Sequence, residues 1–454
     1  MKKHAVLFFV ALLLFSCTES TKKTESVLSG SIENSPNGLI SLVGTEYEKD
    51  IILEEDGSFQ TELELPYDGY YNAIMGRIPL ALYLEKGKDL SFDVDLQEFK
   101  ESLEFSGELS DENTFLSKKQ EIANIDMRQL FQVEPASFLD SISEIDTQYK
   151  TALVDANIEN KNFVESQEKE FLYQKAGYIN AYEELYKYLT ETDQVDLPQD
   201  FYATLENIDF ADEKEFKHST SYQQLVESYY NKKASRLSEE TDHNNSITYM
   251  ELIDEAYPKG YAKNQLLKSV VGYNLKPDQH LDAVYKKYMS IQTDEELIQN
   301  MEESYATLKK ILPGETSPTF DYENINGGTT SLDDLKGKYI YVDVWATWCM
   351  PCLQEIPYLK EVAEEYKDKN VEFVGISIDS EKDYEKWQNM VKEKELAGVQ
   401  LYSGGDAWQS DFVKEYNIQG IPRFILIDPE GNIFDADTYR PSDKKLRELF
   451  DEIL

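Results

Sequence analysis

Cysteine is scarce in this chain. Only Cys17, Cys349 and Cys352 occur among 454 residues. The last two form one C-x-x-C, and the loop such a pair closes is tiny. The entropic gain from a crosslink grows with loop length, so a structural staple here would stabilise little. The spacing favours chemistry instead. Histidine is nearly as rare: His4, His218, His243 and His280 are the whole set, and none accompanies the cysteine pair in the last third of the chain. Basic residues are outnumbered, 45 against 87 acidic, for a formal charge of −42. Such a surface repels phosphate backbones and anionic headgroups, which argues against nucleic-acid binding. The acid is spread along the chain and reads as a solvated surface. Long apolar runs are missing too. Beyond the N-terminal segment, no stretch approaches the length of a transmembrane helix. A hydrophobic fraction of 41% is nevertheless enough for real cores, and the length suggests about three domains.

The N-terminus has its own pattern. Lys2 and Lys3 precede an apolar run from Ala5 to Phe15, too short to span a bilayer. Residues 1–16 read as a signal peptide. The run ends Leu14-Phe15-Ser16-Cys17, which resembles a bacterial lipobox. Phe15 departs from the commonest form, whereas Leu14 and Ser16 fit it. The resemblance implies that Cys17 becomes the lipidated first residue, and several acyl chains on one residue make a stable anchor. Polar residues 17–25 then form a solvated tether. The expectation is an aqueous body anchored by lipid in the cell envelope and facing the periplasm.

Three textures follow. Residues 26–107 show short strand-like runs between turn signals. Ser35-Pro36-Asn37-Gly38 precedes Leu39 to Val43, Asp56-Gly57 precedes Phe59 to Leu65, and Leu90-Ser91-Phe92-Asp93-Val94 alternates with period two. This spacing predicts an all-β sandwich. Residues 108–311 lose the turn residues and gain helical periodicity. Leu172, Ala176, Ile179, Tyr182, Tyr186 and Leu189 recur at three- or four-residue steps. The tyrosines are expected to pack a helical core and send their hydroxyls to water. Breaks fall near Pro198, Pro258 and Pro277. From 312 to 454 the elements alternate. Strands are predicted at Tyr339 to Trp345, Val371 to Ile378 and Phe424 to Ile427, with helices after Cys349, over Asp383 to Lys394 and from Ser442. That alternation predicts an α/β domain whose central mixed sheet is flanked by helices.

The cysteines sit where strand gives way to helix. Cys349 belongs at the helix N-terminus, where free N–H groups and the macrodipole favour a thiolate. Cys352 lies one turn further in and is expected to be the more shielded. Cys349 would then attack a partner disulfide and Cys352 resolve the mixed disulfide. Glu355 is three residues after Cys352, on the same helix face. A carboxylate there can shift the thiol pKa or move a proton. Asp343 shares a strand face with Tyr341 and Trp345. Burial in a covered central strand would raise its pKa. Trp348 is expected to be partly exposed and to cover one side of Cys349. Pro357 falls inside the helix.

"VDVWATWCMPCLQEIP", residues 342–357, resembles the active-site segment of thioredoxin-fold oxidoreductases, and most closely that of the TlpA/ResA-like extracytoplasmic reductases. Trp348, Cys349, Pro351, Cys352, Glu355 and Pro357 match that pattern. "SLDDLKGKYIYVDVWATWC" extends the likeness upstream, and "YNIQGIPRFILIDPEGNI" resembles a second family block. The resemblance covers about residues 312–454. The whole arrangement, with its N-terminal β-sandwich, is also similar to lipoproteins of the Bacteroidota. The family implies a cis bond before Pro422, with Ile421 offering its backbone to an extended substrate segment. It implies that Asp343 accepts a proton near Cys352, although many ResA-like members differ at that position. With Glu355 also present, either carboxylate can be the base.

The resemblance further implies a reductase that uses no cofactor and no metal. Its substrates would be disulfide-containing exported proteins, which include apocytochromes in cytochrome c maturation. Electrons would come from a membrane donor of DsbD/CcdA type. A Cu(I) chaperone of the same fold is a weaker reading, because such proteins space their cysteines further apart and add a histidine. A pure interaction lipoprotein, keeping the fold as scaffold, would not need Cys349, Cys352, Glu355 and Pro422 together.

Overall fold

A computed structural model describes residues 25–122, 126–241, 243–405 and 407–454. Cys17, the signal segment 1–16 and all of the tether except Glu25 lie outside the described residues. The chain divides into two compact units, residues 1–228 and 229–454. The helical stretch expected over 108–311 is thereby shared between them.

The first unit opens with eight strands: β1 Ser26–Glu33, β2 Leu39–Gly44, β3 Tyr47–Ile52, β4 Ser58–Leu63, β5 Gly69–Met75, β6 Ile78–Leu84, β7 Leu90–Asp95 and β8 Glu104–Gly107. They form two four-stranded sheets, ordered β4-β1-β7-β8 and β3-β2-β5-β6. Period-two alternation gives each sheet an apolar face. Leu28 and Phe92 of one sheet share a core with Leu42, Tyr71 and Ala73 of the other. Sequence reasoning did not find β3 or β8. Both are edge strands, and β8 buries none of its residues, so neither carries a full apolar alternation.

Helices Ser110–Ile122, Pro135–Asp155 and Lys161–Thr190 follow. Ala176, Ile179 and Tyr182 are buried as their spacing predicts, but Leu172 is 41% exposed and off the seam. The tyrosine hydroxyls correct another expectation. Tyr182 donates to the Val133 carbonyl at 2.5 Å and Tyr186 to Glu134 at 3.0 Å, so both find protein acceptors rather than water alone. A buried hydroxyl that missed such a partner would lose its hydration uncompensated.

The second unit begins with further helices, among them Asn245–Ala256, Leu281–Ile291 and Glu295–Leu308. Its sheet contains β9 Asp321–Asn324, β10 Thr329–Ser331, β11 Tyr339–Trp345, β12 Val371–Ser377, β13 Val399–Tyr402, β14 Arg423–Ile427 and β15 Ile433–Asp435, in the order β10-β9-β13-β12-β11-β14-β15. β11 is central, parallel to β12 and antiparallel to β14. Every residue from Ile340 to Trp345 is buried, as a strand covered on both faces requires. This is the mixed sheet flanked by helices that the alternation predicts. The short strands β9, β10 and β13 escaped the sequence reading because three or four residues show no resolvable period. On one face, Tyr341 and Phe373 of the sheet pack with Leu359 of helix Met350–Glu365 and Phe450 of helix Lys444–Ile453.

Phe450 is fully buried, with its ring 5.7 Å from Tyr341 and 5.1 Å from Tyr366. Truncating a buried phenylalanine costs about 3–5 kcal/mol. All four tryptophans, Trp345, Trp348, Trp387 and Trp408, belong to the second unit. Their fluorescence during urea unfolding should therefore report a destabilisation of that size in Phe450→Ala. A loss below about 1 kcal/mol would mean that the terminal helix is not part of this core.

Candidate active site

β11 ends at Trp345, and the chain turns through Ala346, Thr347 and Trp348 before helix Met350–Glu365. Cys349 is the N-cap of that helix, and its sulfur accepts the Cys352 amide at 3.2 Å. The two cysteines are joined as a disulfide, with Cα atoms 5.3 Å apart. The expected difference in shielding is absent: Cys349 is 4% exposed and Cys352 3%. The Cys349 side chain is turned in over the first helical turn, where it meets both the sulfur and the amide of Cys352. Burial at a helix N-terminus places the pair where N–H dipoles stabilise a thiolate once the bond is reduced.

The turn itself is pinned by a residue that sequence reasoning missed. Asp379, fully buried just past β12, accepts the Thr347 amide on both oxygens at 3.1 and 3.0 Å. It also accepts the hydroxyls of Thr347 and Ser377, each at 2.8 Å. The Ile378 amide donates to the Trp345 carbonyl at 2.9 Å, and the Cys349 amide to Ala346 at 3.1 Å. The only sequence signal was an acid at the end of a nearly continuous apolar run. A buried carboxylate is retained only with such partners.

Two buried carboxylates of this domain have unlike surroundings. Glu355 is buried, and both its oxygens are engaged. Oε2 accepts the Ser442 amide at 3.0 Å, Oε1 accepts the Ser442 hydroxyl at 2.9 Å, and the Arg440 guanidinium lies 3.7 Å away. Asp343 is buried in β11 between Gly375 of β12 and Phe424 of β14. Its Oδ1 has no hydrogen-bond partner. Burial, reinforced by the negative charge of Glu355, pushes its pKa up to about 7. Its neighbour Tyr341 donates to the Tyr439 carbonyl at 2.8 Å, and burial raises its pKa well above the usual phenol range.

The Ile421–Pro422 bond is cis. Ile421 lies just outside the ladder, whose pairing with β11 begins at Arg423 opposite Val344. Trp348 is 46% exposed, Met350 63% and Trp408 36%. The rings of Trp348 and Trp408 are 6.3 Å apart and tilted by 46°. An apolar surface therefore adjoins the cysteine pair. Among the described residues, no helix is long and apolar enough to cross a membrane.

The C-terminal part of the chain is similar to known thiol–disulfide oxidoreductases. The Redoxin family model matches residues 312–449. The thiol-disulfide oxidoreductase ResA of Bacillus thuringiensis subsp. konkukian is 30% identical over 146 residues, 32% of this chain and 80% of that protein. ResA of Bacillus subtilis is 31% identical over 134 residues, 30% of this chain and 72% of that protein. Among solved structures, a thiol:disulfide interchange protein from Bacteroides sp. is 30% identical, covering 32% of this chain and 91% of that one, with a TM-score of 0.29.

Asp343 has a consequence for stability. Its folded pKa is raised to about 7 from 3.8, so between those values the folded state keeps a proton that the unfolded state releases. Stability must fall as pH rises from about 4 to about 7 and level off above, by a few kcal/mol at most. Asp343→Asn should flatten that part of the profile in urea titrations. An unchanged slope would show that Asp343 is not the group titrating. Asp379→Asn replaces an acceptor of the Thr347 amide with a donor. It should destabilise the second unit by about 1–3 kcal/mol and speed alkylation of the reduced Cys349 by loosening the turn. Wild-type values for both would remove Asp379 from the account.

Proposed function

The chain belongs to the ResA family of thiol–disulfide oxidoreductases, and on that premise we propose that it reduces disulfides of exported client proteins through the Cys349/Cys352 dithiol. The observation that carries this reading is a disulfide at a helix N-terminus set into the same domain as a buried carboxyl that lacks a partner at Oδ1. The Cys349 thiolate attacks one sulfur of a client disulfide, forming a mixed disulfide and releasing a client thiolate. Cys352 then gives up its proton and attacks the Cys349 sulfur. The second client sulfur leaves as a thiol, and the enzyme keeps both oxidised cysteines as the disulfide. Two electrons pass to the client, and a membrane donor of DsbD/CcdA type returns them.

Asp343 is the better proton acceptor for the second step. Glu355 already has its oxygens occupied by Ser442, with Arg440 nearby. Asp343 has a free oxygen and a pKa of about 7, near the pH of the reaction. Glu355 contributes charge that keeps the Asp343 proton affinity high. The exposed rings of Trp348 and Trp408 suit an unfolded client segment, which the Ile421 backbone would align by strand addition. Apocytochrome c awaiting haem attachment is one client this chemistry fits. Lipidation at Cys17 would hold the body in the envelope facing the periplasm, and residues 26–107 and 108–311 would dock clients or position the site.

Cys352→Ser should accumulate a mixed disulfide with a peptide disulfide, visible as a mass increase that dithiothreitol removes. Cys349→Ser should not. Asp343→Asn should slow resolution at pH 7 by roughly a hundredfold and abolish the inflection near pH 7. Loss of that inflection in Glu355→Gln but not in Asp343→Asn would reverse the assignment. Unchanged client turnover in cells after deletion of residues 26–311 would sink the docking role.

A further inference from the structure

The first unit holds a cavity that the redox chemistry does not use. It measures about 320 Å³ and lies where β5 and β6 face helices Ser110–Ile122, Pro135–Asp155 and Lys161–Thr190. Ligand pockets start near this size, so an occupant would be small. Voids left by imperfect packing are apolar and stay dry. This wall is different, because it carries both signs of charge.

Lys119 enters from helix Ser110–Ile122. Its ammonium sits 4.8 Å from the centre of the Phe171 ring, and burial pushes its pKa down against the pull of Glu170. Glu170 is 8% exposed. Among the described residues, the side chains of Lys119 and Glu170 make no hydrogen bond or ion pair, with each other or with a third group. Gln167, 1% exposed, donates its amide N–H to Tyr70 Oη at 2.5 Å and leaves Oε1 without a partner. Gln174 likewise donates to Tyr178 Oη at 2.9 Å and leaves Oε1 unpaired. Tyr149, stacked on Phe171 at 4.7 Å, supplies an aromatic wall beside Leu116.

The two buried amide oxygens are costly without a partner, and the charges of Lys119 and Glu170 line the same cavity. The costs fall together if one molecule answers all of them. Lys119 calls for a carboxylate. Glu170 and the two amide oxygens call for hydrogen-bond donors, and an α-ammonium carries three N–H groups. The rings and Leu116 leave room for an apolar side chain. We propose that this cavity binds a free α-amino acid with an apolar side chain, its carboxylate on Lys119 and its ammonium on Glu170, Gln167 and Gln174.

Isothermal titration of the full chain with each of the common amino acids, a set of monosaccharides, n-butylamine and butyrate tests this. At least one apolar amino acid should bind saturably. Its decarboxylated and deaminated analogues should each bind at least about tenfold more weakly. Lys119→Met and Glu170→Gln should each weaken the amino acid by a similar factor and leave reduction of a peptide disulfide unchanged. The proposal is overturned if no amino acid binds, if a sugar binds and amino acids do not, or if the analogues match the parent. The analogue series runs on the unmodified chain, so it decides the matter even if a substitution prevents folding.

Discussion

A carboxyl group buried in the central strand with one oxygen unpartnered is the constraint on which the active domain depends. Asp343 cannot be there cheaply. Glu355, buried in the same domain, solves the same problem in the ordinary way, through Ser442 and Arg440. The fold thus keeps one carboxylate satisfied and leaves the other holding its proton to about pH 7. Two acids of one chemistry acquire two roles by their surroundings, a pattern common where protons are moved.

The elements around this contrast each fix one coordinate. β11 sets the depth of Asp343 by pairing on both edges. Asp379 ties the Thr347 turn to the end of β12, so the first turn of the cysteine helix starts from a fixed place. Phe450 docks the terminal helix on Tyr341 and Phe373. The same C-terminal segment brings Ser442 to Glu355, across 87 residues of sequence. The packing that stabilises the sheet therefore also decides which carboxylate is free. The first unit also holds a cavity, where Lys119 and Glu170 line the same space without a mutual hydrogen bond or ion pair.

Much of this was legible in the chain. The strand β11, its nearly all-apolar neighbour β12 and the helix following Cys349 follow from local pattern. The pairing of Cys349 with Cys352 and the burial of Asp343 followed from spacing and strand parity. The cis bond at Pro422 came only through family likeness. What stayed hidden depends on partners remote in sequence. Asp379 reads as a loop acid until parallel pairing brings it to Thr347, 32 residues back. Ser442 has no mark of its own. The equal shielding of the two cysteines arises from how the Cys349 side chain folds over the helix start, which spacing cannot encode. Edge strands such as β8 bury too little to leave a pattern.

A dithiol that delivers electrons reversibly is tested most directly by the reduction potential of Cys349–Cys352 in the full chain. Equilibration with dithiothreitol or glutathione buffers, with Cys349→Ser as control, gives it in one experiment. The account predicts a two-electron couple near that of thioredoxin, roughly −270 mV. A value near roughly −120 mV would mark an oxidant and contradict the direction of transfer. The absence of any reversible couple would contradict the chemistry altogether.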